Sequence, residues 1–119
     1  MNELDKAIEI VKILNEKNAK DIRLLHVTDK TIIADYFVIC SGFSNTQVKA
    51  FAGEIEYKME LKGIKPHHTE GYSEAHWIVL DYSSVIVHIF YNETREFYSL
   101  EKLWSDAEEI DVSEYITEK

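Results

Sequence analysis

The stretch that decides the fold reads DYFVICSGFSNTQVKAFAGEIEYKMELKG and covers residues 35–63. Its first part, from Tyr36 to Cys40, is a continuous apolar run, which is typical of a strand covered on both faces. Ser44 then stands three residues before Gln47, the spacing of a helix-capping box. The following positions repeat apolar side chains at helical spacing until Gly63, a residue that favours a helix end. A strand, a turn and an amphipathic helix therefore follow one another here.

The rest of the chain supplies further elements around this unit. An apolar stripe predicts a helix over residues 3–17, and Leu- and Val-rich runs predict strands at 22–27, 77–81 and 84–90, the last two around a tight turn at Tyr82 and Ser83. A short extended piece at 65–70 and a short helix after Ser99 complete the pattern. This order predicts an α+β domain, with a mixed five-stranded sheet and helices packed against it.

The domain organisation follows from length and from the charge of the last residues. A chain of 119 residues fits one domain, which we place at residues 1–107. Residues 108–119 are mostly acidic and polar, so a solvated, partly mobile tail is expected there.

The net charge of −9 limits the classes of partner. Lys and Arg are scattered and form no basic stripe, so phosphate backbones should repel the domain, and little direct contact with nucleic acid is expected. A basic protein surface is the better partner, because opposite charge speeds encounter. No apolar run is long enough to span a membrane, and the acidic N-terminal residues differ from a secretory signal. Together with a single cysteine, this predicts a cytoplasmic protein.

Candidate reactive groups favour structural roles. Cys40 lies in an apolar strand, so a buried core thiol is the expected state. His67, His68, Glu70 and His76 have irregular spacing that matches no common metal-site pattern, so neither metal nor cofactor is predicted. Arg95 is read as a surface charge.

A nucleotide site is the alternative that these residues leave open. Gly42 and Ser44 follow a strand and open a helix, which could cradle a phosphate. The paired carboxylates that a nucleotidyltransferase needs to hold two metal ions are missing, since Asp81 stands alone at its strand end. A non-enzymatic function is therefore predicted, and the alternative is a nucleotide-binding regulator or a residual nucleotidyltransferase that uses Gly42 and Ser44.

Aromatic residues concentrate in the second half of the chain. Trp77 and Tyr82 flank a predicted strand beside polar residues such as Glu74, His76 and Asp81. Aromatic anchors within a polar rim are the composition of a protein-binding patch.

Three groups of residues resemble the signatures of the ribosomal silencing factors, also called Iojap-like proteins, in the same order along the chain. The first comprises 35–42 with Ser44, Gln47 and Val48. The second comprises Glu70, Gly71, residues 77–82 and residues 85–90. The third comprises Arg95, Tyr98, Leu100, Glu101, Leu103, Trp104, Asp106 and Ala107. The resemblance covers nearly the whole chain.

The resemblance implies a nucleotidyltransferase-like fold without catalytic carboxylates. It also implies binding to the L-fourteen protein of the large ribosomal subunit, which would block joining to the small subunit and lower translation when nutrients are short. On this basis the partner-binding residues are predicted to be Glu70, Trp77, Asp81, Tyr82, His88 and Phe90. An exposed aromatic strand face could also support a homodimer. A scaffold that acts through the acidic tail is a further alternative.

One departure from the family pattern concerns the turn after Asp81 and Tyr82. Many relatives carry glycine there, whereas this chain has Ser83. Tight hairpin turns often need a positive φ, which is costly for a residue with a Cβ. A wider turn or a strained Ser83 is therefore predicted.

Overall fold

The protein forms one mixed sheet flanked by helices. The computed structural model describes residues 1–117. In chain order the elements are α1 (Glu3–Glu16), β1 (Lys20–His26), β2 (Tyr36–Gly42), α2 (Asn45–Leu61), β3 (His68–Glu70), β4 (Trp77–Asp81), β5 (Val85–Tyr91), α3 (Asn92–Tyr98), α4 (Leu100–Leu103) and β6 (Glu108–Ile110), with a short 3-10 turn at Ser113–Tyr115. The predicted α+β class is confirmed, but the predicted strand number of five is wrong, because the sheet has six strands.

The sheet combines parallel and antiparallel pairs in the order β3-β4-β5-β2-β1-β6. At its centre β2 and β5 run parallel, and the remaining neighbours are antiparallel. Helix α2 carries the chain from β2 to the far edge at β3, from which β4 and β5 return by simple reversals. The central strands β2 and β5 are therefore shielded on both sides, which explains their continuous apolar sequences.

The two long helices begin where side chains cap them. The Oδ1 atom of Asn2 accepts a hydrogen bond from the Asp5 amide at 2.8 Å, at the start of α1. At α2 the Ser44 Oγ accepts from the Gln47 amide at 3.1 Å, and the Gln47 Oε1 accepts from the Phe43 amide at 2.7 Å. The expected capping box thus forms, although its second bond goes to the residue before the cap. These bonds satisfy amides that a helix start leaves unpaired.

One face of the sheet is covered by α1 and α2, and we call it the helix-covered face. Leu24, Val38, Val87 and Leu80 form one row across four strands and have no exposed surface. Ile10, Leu14, Ile55 and Met59 reach this face from the two helices and are also fully buried. Branched aliphatic side chains therefore fill the main core, as expected for close packing.

The opposite face is richer in aromatic groups, and we call it the aromatic face. It carries Leu25, Phe37, Ile39, Trp77, Val79, Ile86, His88 and Phe90. Leu100 of α4 and the nearby Trp104 cover part of it, with the Trp104 ring edge-on to Phe37 at 5.1 Å between centroids. The short helices α3 and α4 protect less of the sheet than α1 and α2 do, so part of this face stays accessible.

Helix α3 is held to the sheet by a buried arginine. The expected surface position of Arg95 is wrong, because only 5% of this residue is exposed. Its Nη1 donates to the Ser41 Oγ at 2.8 Å and to the Asp21 carbonyl at 2.7 Å, while its Nε donates to Glu101 at 3.2 Å. A buried guanidinium needs such partners. Arg95 therefore joins α3 and α4 to the end of β2.

The expectation of a solvated tail after residue 107 is wrong for residues 108–117. Strand β6 pairs with β1, and Val112 packs into the main core with 7% of its surface exposed. The Thr117 amide also donates to the Asn15 Oδ1 of α1 at 3.1 Å. The acidic side chains of this segment are exposed, whereas Val112 is buried and Ile110, Tyr115 and Ile116 are partly buried against the main core. The high proportion of acids in the sequence hid this apolar contact. Residues 118–119 lie outside the described part of the chain.

Candidate functional site

The residues predicted to bind a partner are divided between the two faces of the sheet. Strand register places five of them on the aromatic face: Glu70, Trp77, Asp81, His88 and Phe90. Tyr82 lies on the helix-covered face, where only 3% of it is exposed. The structure therefore brings five of the six together and separates the sixth.

Trp77 is the centre of this group. Its ring stacks on Phe90 with 4.8 Å between centroids, and its indole Nε1 donates to the Nδ1 of His88 at 3.1 Å. Tyr98 of α3 contacts the same ring, with 5.1 Å between centroids. Trp77 remains only partly buried. The tryptophan is thus fixed from below and beside while part of its ring faces solvent.

His88 and Phe90 lie beneath Trp77, with 8% and 0% of their surfaces exposed. Burial lowers the pKa of His88 to about 4, because an apolar surrounding disfavours the charged imidazole. Since its Nδ1 accepts a hydrogen bond from the Trp77 indole N–H, the proton of the neutral ring lies on Nε2, which has no hydrogen-bond partner among the described residues. Both side chains therefore orient Trp77 and form no part of the outer surface.

Glu70 and Asp81 lie toward the β3 edge of the aromatic face. Glu70 is exposed, and its Oε1 is 2.7 Å from the Nε2 of His68 on the same strand. The Oδ1 of Asp81 accepts from the Ser83 amide at 2.7 Å, so this carboxylate also shapes the turn. Both residues provide negative charge at the rim of the aromatic group.

The turn after Asp81 shows the strain that the sequence predicts. Ser83 has a φ of +71°, in the left-handed region that disfavours residues with a Cβ.

Tyr82 points away from the aromatic face because successive side chains along a strand point to opposite faces. Trp77, Val79 and Asp81 alternate with Tyr82 and so lie on the aromatic face. Burial raises the pKa of Tyr82, and its hydroxyl has no hydrogen-bond partner within residues 1–117.

A cleft of about 660 Å³ opens beside Trp77, between α3 and the loop that precedes β4. Its lining residues are Gly71, Ser73, Glu74, His76, Trp77, Tyr91, Glu93, Thr94, Phe97 and Tyr98. Two acids and four large aromatic rings are among them, and Lys and Arg are absent from the lining. The cleft is therefore both aromatic and acidic.

The shape of the cleft depends on Gly71. This residue has a φ of +90°, and a Cβ built there would lie 2.1 Å from the Trp77 carbonyl oxygen. No side chain fits at that distance. The loop can therefore fold against the start of β4 only because Gly71 lacks a Cβ.

Sequence reasoning missed the contribution of α3 to this site. Glu93, Thr94 and Phe97 were assigned no role, and Tyr98 was named only within the third group of residues that resembles the family signatures. They lie about one turn apart on a helix that places them beside Trp77. The signal available in the sequence was the pair of adjacent aromatic residues, Phe97 and Tyr98. The structure shows that they are 81% and 51% exposed. Exposed neighbouring aromatics on a short helix indicate a contact surface.

Cys40 and the loop between β2 and α2, which were considered for nucleophilic and phosphate chemistry, are buried or engaged in helix capping. Cys40 is fully buried, as predicted, and burial raises the pKa of its thiol to about 12. Ser44 caps α2, and a Cβ at Gly42 would meet the Phe51 ring at 3.0 Å, so the loop between β2 and α2 is closely packed. Within residues 1–117, no cluster of three potential metal ligands is found. No helix in the same range is long and apolar enough to cross a membrane.

Comparison with known proteins identifies relatives of the whole chain. Residues 1–119 match the family model described as ribosomal silencing factor during starvation. A Bacillus subtilis protein named ribosomal silencing factor RsfS is 43% identical over 93 residues, which is 78% of this chain and 79% of the relative.

Two further comparisons extend the range of the similarity. A crystal structure of a Chromobacterium violaceum protein superposes with a TM-score of 0.86 at 28% identity and covers 88% of both chains. A mouse protein named mitochondrial assembly of ribosomal large subunit protein 1 is 35% identical over 102 residues, which is 81% of this chain and 43% of the mouse protein.

Proposed function

The chain belongs to the ribosomal silencing factor family, and from this premise we propose that it binds the large ribosomal subunit through the L-fourteen protein and sterically blocks association with the small subunit. Translation would thereby be repressed when nutrients are limiting. The proposed site of action is the cytoplasm. No catalytic step is required, because occupying a docking surface is sufficient.

The observation that carries this proposal is the accessible part of the aromatic face. Trp77 is fixed by Phe90 and His88 while part of its ring remains exposed, and Phe97, Tyr98 and Leu103 are more than half exposed nearby. Large apolar side chains exposed together on a soluble domain mark an interaction surface. A tryptophan held in one orientation loses little conformational freedom when it docks, so it suits the role of an anchor.

Charge supports a basic protein as the partner. The chain carries −9 overall, and Glu70, Asp81, Glu74 and Glu93 surround the exposed aromatic residues. An acidic surface of this kind attracts a basic protein and is repelled by exposed phosphate groups. This favours docking on a ribosomal protein over docking on ribosomal RNA.

The nucleotide-binding alternative receives no support from the loop after β2. The Ser44 hydroxyl and the amides of Phe43 and Gln47 are committed to capping α2. The Arg95 guanidinium, the nearest buried cation, is occupied by Ser41, Asp21 and Glu101. A phosphate would have to displace these contacts.

Self-association is a competing use of the same surface. A homodimer formed through the aromatic face would have to dissociate before the large subunit could bind. Analytical ultracentrifugation measures the oligomeric state of the wild-type protein and of the Tyr98→Ala variant. A wild-type dimer that Tyr98→Ala dissociates would show that self-association and partner binding share a surface.

The central experiment is co-sedimentation with purified large subunits, followed by a sucrose-gradient assay of subunit joining. Wild-type protein is expected to pellet with large subunits and to reduce the joined fraction. Tyr98→Ala and Trp77→Ala should weaken binding by about tenfold or more, as expected for anchors that cost about 2 kcal/mol on truncation. Asp81→Lys should also weaken binding to large subunits, and the loss should be greatest at low salt, where charge pairs are least screened.

Tyr57→Ala is the matched control. Tyr57 is 60% exposed, close to the 51% of Tyr98, but it lies on α2 and so on the other side of the sheet. Its truncation should leave binding unchanged. Equal loss with Tyr57→Ala and Tyr98→Ala would contradict the assignment of the surface, and normal subunit joining in excess wild-type protein would contradict the mechanism.

The dependence of binding on salt tests the expected minor role of RNA. A few charge pairs with a protein partner give a shallow log–log slope, whereas many phosphate contacts give a slope of about −0.9 for each phosphate neutralised. A steep slope would show that RNA contributes most of the affinity and would overturn this part of the proposal.

A further inference from the structure

We propose that the cleft beside Trp77 receives one arginine side chain of the protein partner, with the guanidinium stacked on aromatic rings and paired with Glu74 and Glu93. This inference deepens the proposed function and rests on it for the identity of the partner. It adds a defined chemical group, an alkyl guanidinium, and a defined receptor for that group.

The walls of the cleft supply flat aromatic surfaces. Trp77 and Tyr98 lie 5.1 Å apart between ring centroids at an angle of 47°, and Phe97 meets Tyr98 edge-on at 5.1 Å. Tyr91 contributes a further ring, which is 5.9 Å from the His76 ring. Cations are attracted to the faces of such rings, and tryptophan is the strongest of them.

Two carboxylates in the cleft have no cation of their own. Glu74 and Glu93 are exposed, and neither forms an ion pair or a side-chain hydrogen bond with any of residues 1–117. By contrast, Glu70 pairs with His68 and Asp81 holds the Ser83 amide. Since Lys and Arg are absent from the lining, the negative charge of the cleft is left for an incoming group.

Arginine fits this combination better than lysine does. A guanidinium is planar, is weakly hydrated, stacks on aromatic faces and forms paired bonds with carboxylates, whereas an ammonium is a compact and strongly hydrated charge. A cleft of about 660 Å³ is within the range of small-ligand sites and admits the alkyl stem together with the neighbouring backbone. The aromatic rings and the acids would then be used at once.

The first test follows the indole N–H signals of the two tryptophans by NMR during titration with N-acetylarginine amide. Trp77 lines the cleft and Trp104 does not, so Trp104 is an internal control. The Trp77 signal is expected to shift in a saturable way with the arginine derivative while the Trp104 signal stays in place. Nα-acetylcitrulline amide, which has the same shape without charge, should produce little shift. Nα-acetyl-lysine amide, which keeps its side-chain ammonium, should produce an intermediate shift.

The same titration with Glu74→Gln/Glu93→Gln should lose most of the Trp77 response. An unmoved Trp77 signal in the wild type, or an equal response to arginine and citrulline, would overturn the inference. A stronger response to lysine than to arginine would overturn the assignment of the guanidinium.

The second test measures binding to large ribosomal subunits. Glu74→Gln/Glu93→Gln should weaken binding by about tenfold or more, in line with charge-assisted hydrogen bonds. The control Glu96→Gln/Glu114→Gln removes two exposed acids outside the cleft and changes the net charge equally, so it should alter binding by about twofold or less.

These outcomes separate the inference from the proposed function. Wild-type binding that both double variants retain would refute the arginine site and leave the proposed docking intact. Absence of wild-type binding to large subunits would refute the proposed docking, while the arginine titration would still test the cleft.

Discussion

The two faces of the sheet are built from different residues and closed to different extents. The helix-covered face is aliphatic, and its row of Leu24, Val38, Val87 and Leu80 has no exposed surface. The aromatic face carries Trp77, His88 and Phe90, and only short helices cover part of it. One face therefore completes the core, while the other keeps large apolar groups at the surface.

If the aromatic face binds the partner as proposed, this difference separates stability from recognition within a single sheet. A residue that is fully buried on the helix-covered face contributes its whole apolar area to folding. A partly exposed residue on the aromatic face contributes less to folding and leaves area to be buried by a partner. Substitutions on the helix-covered face should therefore lower mainly the free energy of unfolding, whereas those on the aromatic face should lower it less and should also weaken partner binding.

The largest expected effect compares two neighbours on β4. Leu80 is fully buried against the helices, whereas Val79 lies on the aromatic face and is partly exposed. Leu80→Ala should lower the free energy of unfolding by about 2–5 kcal/mol, since it opens a cavity in close-packed surroundings. Val79→Ala should cost about 1 kcal/mol, because it removes less buried area. Urea unfolding followed by circular dichroism measures both, and equal losses would remove the distinction between the faces.

The next effect concerns the pH dependence of stability and arises on the aromatic face. The pKa of His88 is about 4 in the folded protein, below its ordinary value of 6.5. Between these values the unfolded chain takes up a proton that the folded chain does not, so stability falls as pH falls. The loss should reach roughly 3 kcal/mol by pH 4, at about 1.4 kcal/mol for each pKa unit.

Two variants check this assignment. His88→Phe removes the titrating group, and His88→Asn removes it while offering Trp77 an acceptor. In either variant, unfolding free energies measured between pH 7 and pH 4 should lose this component of the slope. An unchanged slope would show that other groups cause the acid sensitivity and that His88 is not maintained uncharged by its surroundings.

The smallest effect lies at the turn that joins β4 and β5. Ser83→Gly should raise the free energy of unfolding by about 1 kcal/mol, because glycine adopts the observed φ of +71° without a Cβ clash. Thermal unfolding measures the gain, and binding to large subunits should stay unchanged. Altered binding would show that the turn itself takes part in the docking surface.

The sequence was sufficient to predict the helices and strands whose apolar residues recur at regular spacing. Apolar side chains recur at helical spacing in α1 and α2, so both helices were predicted nearly to their ends. Helix α3 escaped because its one buried side chain is Arg95, which periodicity counts as polar. Strand β6 escaped because two of its three residues are glutamates and its pairing with β1 joins distant parts of the chain.

The candidate site was predictable in its centre but not in its outline. Trp77, His88 and Phe90 were predicted, and strand alternation alone would have excluded Tyr82. The cleft could not be predicted from the sequence, because Glu74 and Glu93 come together only when α3 packs beside β4. Arrangements between distant segments depend on tertiary contacts that local patterns do not encode.

Gly71 gives the site an unusual genetic vulnerability. The position is exposed, and replacements at exposed positions are ordinarily silent. Yet every other amino acid would push the loop off the Trp77 carbonyl, since the space for a first side-chain carbon does not exist. A random library selected for soluble protein that no longer silences ribosomes should therefore be enriched in changes at this single codon.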